Sequence, residues 1–178
     1  IPLADIDFGP EESSAVADVI NSKWLTMGTV TQEFERNFAE YVGAEHAIAV
    51  SSGTAALHLA CLAMEIKPGD EVIVPSLTFV ATANAIRYTS ATPIFADIVG
   101  ENDLNISYQS IKKLITKRTR AIIVVHYGGY ACNMPDIMAL AREYNLKVIE
   151  DAAHATGSEL EERKLGTWGN LGCFSFFS

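Results

Sequence analysis

The run Lys147-Val148-Ile149-Glu150-Asp151-Ala152-Ala153-His154 ends a short β-branched segment on a carboxylate, two small residues and an imidazole. Such a segment reads as a buried strand. A buried carboxylate with no cation beside it resists ionising. Asp151, at the tip of a central strand, therefore asks for a positive partner. Two chemistries supply one. The ring nitrogen of pyridoxal phosphate (PLP) is kept protonated by such an aspartate, which makes the ring an electron sink. A magnesium ion is the other. His154 is either a satisfied polar group or a donor to an oxygen on the same ring.

Other positions bear on that choice. Ser51-Ser52-Gly53-Thr54 leaves one apolar segment and opens a helix. Free N–H groups at a helix start, with the hydroxyls of Ser52 and Thr54, suit an anion such as phosphate. The plainer reading is a helix cap. The run is neither a Walker loop nor a Gly-x-Gly-x-x-Gly fingerprint. Phe79 sits at the next strand–helix junction, where an aromatic is either core or a platform for a flat ring. Asp97 reads as structural. Ser175 alternates with Phe174 and Phe176, so on a strand it takes the opposite face, toward a crevice and a phosphate.

The elements that must position these residues follow from periodicity. Helices are expected over Pro10–Ser22, after a Thr31 cap to Gly43, and over Ala55–Met64, Val80–Tyr88, Tyr108–Ile115 and Pro135–Tyr144. Strands are expected at His46–Val50, Glu71–Val74, Pro93–Ala96, Arg120–Val125, Lys147–Asp151 and Cys173–Phe177. Trp24–Gly28 and Asn102–Ser107 read as loops, Glu159–Lys164 as a solvated turn and Gly166–Gly172 as a glycine-rich loop. This alternation predicts an α/β fold with a mainly parallel sheet flanked by helices. Ligands of such sheets bind beyond the carboxyl ends of the strands. That edge collects residues 51–54, 76–79, 97, 126–129, 151–154 and 175–178.

Composition narrows the function classes. The chain has 178 residues, is 49% hydrophobic and carries a net charge of −9. The charge disfavours broad nucleic-acid binding but not a local anion pocket. Cys61, Cys132 and Cys173 show no metal-ligand spacing and read as reduced core thiols. No apolar run approaches the roughly 20 residues that span a bilayer. The chain stops inside the apolar run 173–178, as the front part of a longer protein would.

Five segments together, Val50–Leu57, Pro68–Pro75, Thr78–Thr82, Val125–Gly129 and Ile149–His154, resemble the DegT-type sugar aminotransferases, PLP enzymes with the aspartate aminotransferase fold. The resemblance implies a large domain with a sheet of the seven-stranded type, incomplete at its C-terminal side. Residues 31–178 would form the PLP-binding part, and residues 1–30 would lie near the active-site entrance. Gly53 and Thr54 would hold the phosphate with help from Ser175. Phe79 would stack on the pyridine ring. Asp151 would pair with the ring nitrogen, and His154 would bond the ring 3-hydroxyl oxygen. Such enzymes transfer an amino group, usually from L-glutamate, to a keto group of a nucleotide-linked deoxysugar for amino-sugar, polysaccharide or antibiotic-sugar biosynthesis. They are cytoplasmic homodimers with shared active sites. No metal is implied.

The family's cofactor-bearing lysine is expected two residues after Phe174–Ser178, beyond the sequence. Rival expectations remain. One is a dehydratase of the same fold with histidine in the lysine's place. Another is a truncated, non-catalytic PLP binder. A third is a magnesium-dependent phosphotransfer domain using Asp97 and Asp151. Neither the sugar nor amination at carbon 3 or carbon 4 can be read from these residues.

Overall fold

The computed structural model describes residues 7–177. It divides into two compact units, one comprising the chain up to Ala49 together with Phe176 onward, the other Val50–Ser175.

The first unit holds two helices, α1 (Pro10–Ser22) and α2 (Thr29–Val42). Pro10 supplies a first-turn φ that suits the helix, and the Glu12 side chain turns back to accept the Gly9 N–H at 2.7 Å. α2 starts two residues before the expected Thr31 cap. Gly28 is its N-cap, and the Gly28 carbonyl accepts the first helical bond, from Gln32 N–H at 3.0 Å. At its other end Gly43 adopts φ +76°, the left-handed stop that a glycine allows. Phe34, Phe38 and Phe176 pack ring against ring at centroid distances of 5.3 to 5.8 Å. The segment expected as a strand at His46–Val50 forms none. It pairs with no strand among the described residues, and a chain without a ladder partner is not a strand. Ile48 is 79% exposed.

The second unit is built on five strands: β1 (Glu71–Pro75), β2 (Thr92–Ala96), β5 (Thr119–Val125), β6 (Lys147–Asp151) and β9 (Leu171–Cys173). They form one parallel sheet in the order β2-β1-β5-β6-β9. Four helices cover it: α3 (Gly53–Ala63) and α4 (Val80–Tyr88) on one face, α5 (Tyr108–Leu114) and α6 (Met134–Tyr144) on the other. Strand side chains alternate between the two faces. Ile149 packs with Leu57, Ala85 and Ile86 beneath α3 and α4, whereas Val148 packs with Ile137 and Leu140 beneath α6. The run 148–151 thus sends Asp151 to the α4 side and Glu150 to the α6 side. All three cysteines are free and buried. Burial pushes the Cys61 thiol up to about 11 and Cys173 to about 12, which fits core residues rather than nucleophiles.

Three expected loops or strands differ. Asn102–Ser107 is not a polar loop: Asp103–Ile106 is strand β4, paired antiparallel with β3 (Ile98–Gly100). Its polar Asn105 is buried because its amide bonds backbone groups rather than water. Glu159–Lys164 is a small hairpin, β7 (Glu159–Leu160) with β8 (Arg163–Lys164), turned by Glu161 and Glu162 at positive φ. The last strand occupies Leu171–Cys173 rather than Cys173–Phe177. Cys173 already pairs with Asp151, the final residue of β6, so the ladder ends there.

Candidate functional site

Asp151 stands at the carboxyl end of β6 between Val125 of β5 and Cys173 of β9. The residue is 5% exposed. Oδ2 accepts the Thr82 hydroxyl at 2.8 Å, and Oδ1 accepts the Ala153 N–H at 3.2 Å. Thr82 lies in the first turn of α4, and its oxygen is 2.7 Å from the Thr78 hydroxyl. Because Thr82 donates to Asp151, Thr78 is left as the donor to Thr82. Among the described residues no lysine or arginine pairs with Asp151. Burial raises its pKa above the ordinary carboxylate range, and the Thr82 and Ala153 bonds and the nearby histidines offset only part of that. The positive partner that the sequence demanded is therefore not supplied by these residues.

Phe79 is the N-cap of α4 and is 72% exposed, so it is not core. At the start of α3 the Ser52 hydroxyl accepts the Ala55 N–H at 3.1 Å and the Ser52 carbonyl accepts that of Ala56. Ser52 thus serves as the cap. Among the described residues, no protein acceptor meets the N–H groups of Gly53 and Thr54. A Cβ on Gly53 would come within 3.3 Å of the Ser175 Cβ and 3.6 Å of its Oγ. Glycine therefore permits the close approach that brings Ser175 to the helix start. Ser175 reaches this position from irregular chain past β9, not by strand alternation as the sequence suggested.

His154 follows on an exposed turn. Its Nδ1 accepts the Gly128 N–H at 3.3 Å, and its ring meets Tyr127 edge-on at 5.9 Å. His126, expected along the crevice, is elsewhere: it is fully buried with Nε2 2.9 Å from Glu150 Oε2. Glu150 also accepts Gly166 N–H at 2.8 Å and Gly169 N–H at 2.6 Å. Asp97 is structural, its Oδ1 accepting the Ile98 N–H. The sequence reading missed Thr82, although its spacing, one helical turn past Phe79, places it over the strand ends.

A cation-seeking carboxylate, an exposed aromatic and a glycine–hydroxyl cradle at strand ends suit a flat, protonated heterocycle bearing a phosphate. Residues 7–178 match the model of the DegT/DnrJ/EryC1/StrS aminotransferase family. The chain belongs to that family. It is 48% identical over 170 residues to the spore coat polysaccharide biosynthesis protein SpsC of Bacillus subtilis, covering 96% of this chain and 43% of SpsC. It is 45% identical over 178 residues to the GDP-perosamine synthase of Escherichia coli O157:H7, covering 99% of this chain and 49% of that protein. Among solved structures, the PLP form of the putative sugar aminotransferase Spr1654 from Streptococcus pneumoniae superposes with a TM-score of 0.93 at 29% identity, covering 99% of this chain and 49% of that one. The chain spans about half the length of the curated relatives it matches. No helix among the described residues is long and apolar enough to cross a membrane, and no cluster of three or more His, Cys, Asp or Glu could hold a metal.

Proposed function

We propose that this chain is the cofactor-binding part of a PLP-dependent aminotransferase that moves an amino group from L-glutamate to a keto group of a nucleotide-linked deoxysugar. The observation that carries the reading is Asp151, a buried carboxylate with a raised pKa and no cationic partner among the described residues. Family membership, the PLP form of a structural relative and the sugar-related names of two sequence relatives support it.

Bound PLP supplies an electron sink for carbanion chemistry beside the substrate amine. This chain's residues bind and orient it. Asp151 holds the proton at the ring nitrogen, and Thr82 and the Ala153 N–H fix the carboxylate in place. Phe79 offers its exposed face to the ring. Gly53, Thr54 and Ser175 take the phosphate with backbone N–H groups and hydroxyls. His154 donates to the ring oxygen. The whole protein works as a cytoplasmic homodimer.

The test is amino transfer by the intact protein carrying Asp151→Asn, which keeps the shape and removes the charge. The reading expects a loss of at least about a hundredfold in rate, two factors of ten at 1.4 kcal/mol each. Full activity in the variant would overturn it.

A further inference from the structure

The loop between β5 and α6 lies on the surface, yet side chains from beneath it take up its backbone groups. Tyr127 N–H donates to Asn105 Oδ1 at 3.1 Å, and Asn105 Nδ2 donates to the Ala131 carbonyl at 3.2 Å. One buried amide from β4 thus clamps the loop at both ends. His126 fastens the flanks. Its N–H donates to the Asp151 carbonyl at 3.2 Å, and its Nδ1 accepts the Cys132 N–H at 3.2 Å. With Nδ1 an acceptor, the His126 proton is on Nε2, directed at Glu150. Within the loop Gly128 and Gly129 adopt φ +60° and +84°, conformations that favour glycine. A Cβ on Gly129 would come within 3.0 Å of the His154 carbonyl oxygen, so the loop also lies against the His154 backbone.

The clamp has a chemical consequence. A backbone N–H can only donate. Gly128 N–H is aimed at His154 Nδ1, so Nδ1 must offer its lone pair. The proton of the neutral imidazole then resides on Nε2. We propose that Asn105 is a positioning residue which, through the 127–131 loop, fixes His154 in the Nε2–H tautomer and so makes it a hydrogen-bond donor at the cofactor. The proposal deepens the reading above and rests on it for the identity of the acceptor. A free imidazole can present a lone pair or a proton at that nitrogen, whereas a clamped one presents only a proton, which suits an oxygen rather than a donor.

The test uses the intact protein without cofactor, with nitrogen-15 NMR of the histidine rings at alkaline pH, where imidazoles are neutral. Signals are assigned with His154→Ala. The proposal expects His154 of the unsubstituted protein to be a single Nε2–H tautomer. An averaged or Nδ1–H signal would overturn it without need of a variant. Asn105→Ala removes both clamp bonds and is expected to move the Nδ1 and Nε2 signals toward each other. Asn105→Asp keeps only the bond to Tyr127 N–H and is expected to fall between. Titration with PLP then separates positioning from a general structural effect. Asn105→Ala is expected to weaken binding about tenfold, the loss of one hydrogen bond of about 1.4 kcal/mol. In a His154→Ala background it is expected to weaken binding no further. An equal loss in both backgrounds would overturn the proposal. If the tautomer is as expected but His154→Ala leaves PLP affinity unchanged, the clamp stands and the assignment of His154 to the cofactor falls.

Discussion

Glu150 and Asp151 are adjacent carboxylates on one strand, and they have opposite surroundings. Glu150 is fully buried on the α6 side and accepts three hydrogen bonds from His126, Gly166 and Gly169. The protein satisfies it completely. Asp151 on the α4 side is almost as buried but accepts only from Thr82 and Ala153, with no lysine or arginine against it among the described residues. The strand's two-residue period alone separates them. One acid closes the fold, and the other is kept at a cost that an outside cation would remove at neutral pH.

The largest break in this comparison is expected on the structural side. Glu150→Ala strands buried His126 and two backbone N–H groups together, so it is expected to destabilise the protein by about 3–5 kcal/mol in urea unfolding. A loss under about 1 kcal/mol would mean that Glu150 is no better placed than its neighbour.

Asp151→Asn should act in the opposite direction when cofactor is absent. A carboxyl with a raised folded-state pKa binds its proton more tightly when folded than when unfolded. Its cost is absent below the unfolded pKa, appears as pH rises through the folded value, and persists above it. The cofactor-free variant is therefore expected to be more stable than the unsubstituted protein at neutral pH, by about 1.4 kcal/mol for each factor of ten by which burial weakens the acid. The gain should vanish in acid. Thermal melts across pH check this, and a loss of stability at neutral pH would contradict it.

The smallest effect expected is that of Thr82→Val, which keeps the shape and removes the donor to Asp151. It should cost about 0.5–1 kcal/mol. It should also push the Asp151 pKa further up, because the Thr82 bond lowers it. A stability cost with no change in that titration would show the bond to be unimportant to the charge.

Much of this contrast was legible in the residues themselves. Lys147–Asp151 reads as a buried strand because Val148 and Ile149 are β-branched and the helices on either side keep their period. The order of strands and helices, and so the edge on which Gly53, Phe79 and Asp151 meet, follows from the same alternation. What was hidden is long-range and polar. Asn105 looks like loop chemistry until the Tyr127–Ala131 backbone is seen to need its amide. Thr82 looks like one more small helical residue until Asp151 is seen beneath it. Glu150 and His126 are 24 residues apart, and no local pattern announces that they pair. The strand expected at Cys173–Phe177 was misplaced because apolar composition does not show where the neighbouring strand ends.

The central claim is that Asp151 waits for a cation that no lysine or arginine among the described residues provides. Carbon-13 NMR of its carboxyl, followed across pH in the intact protein with and without PLP, tests that most directly. The account predicts a midpoint above the ordinary aspartate range in the empty protein and a fall well below it once PLP is bound. A midpoint that PLP leaves unmoved would contradict it.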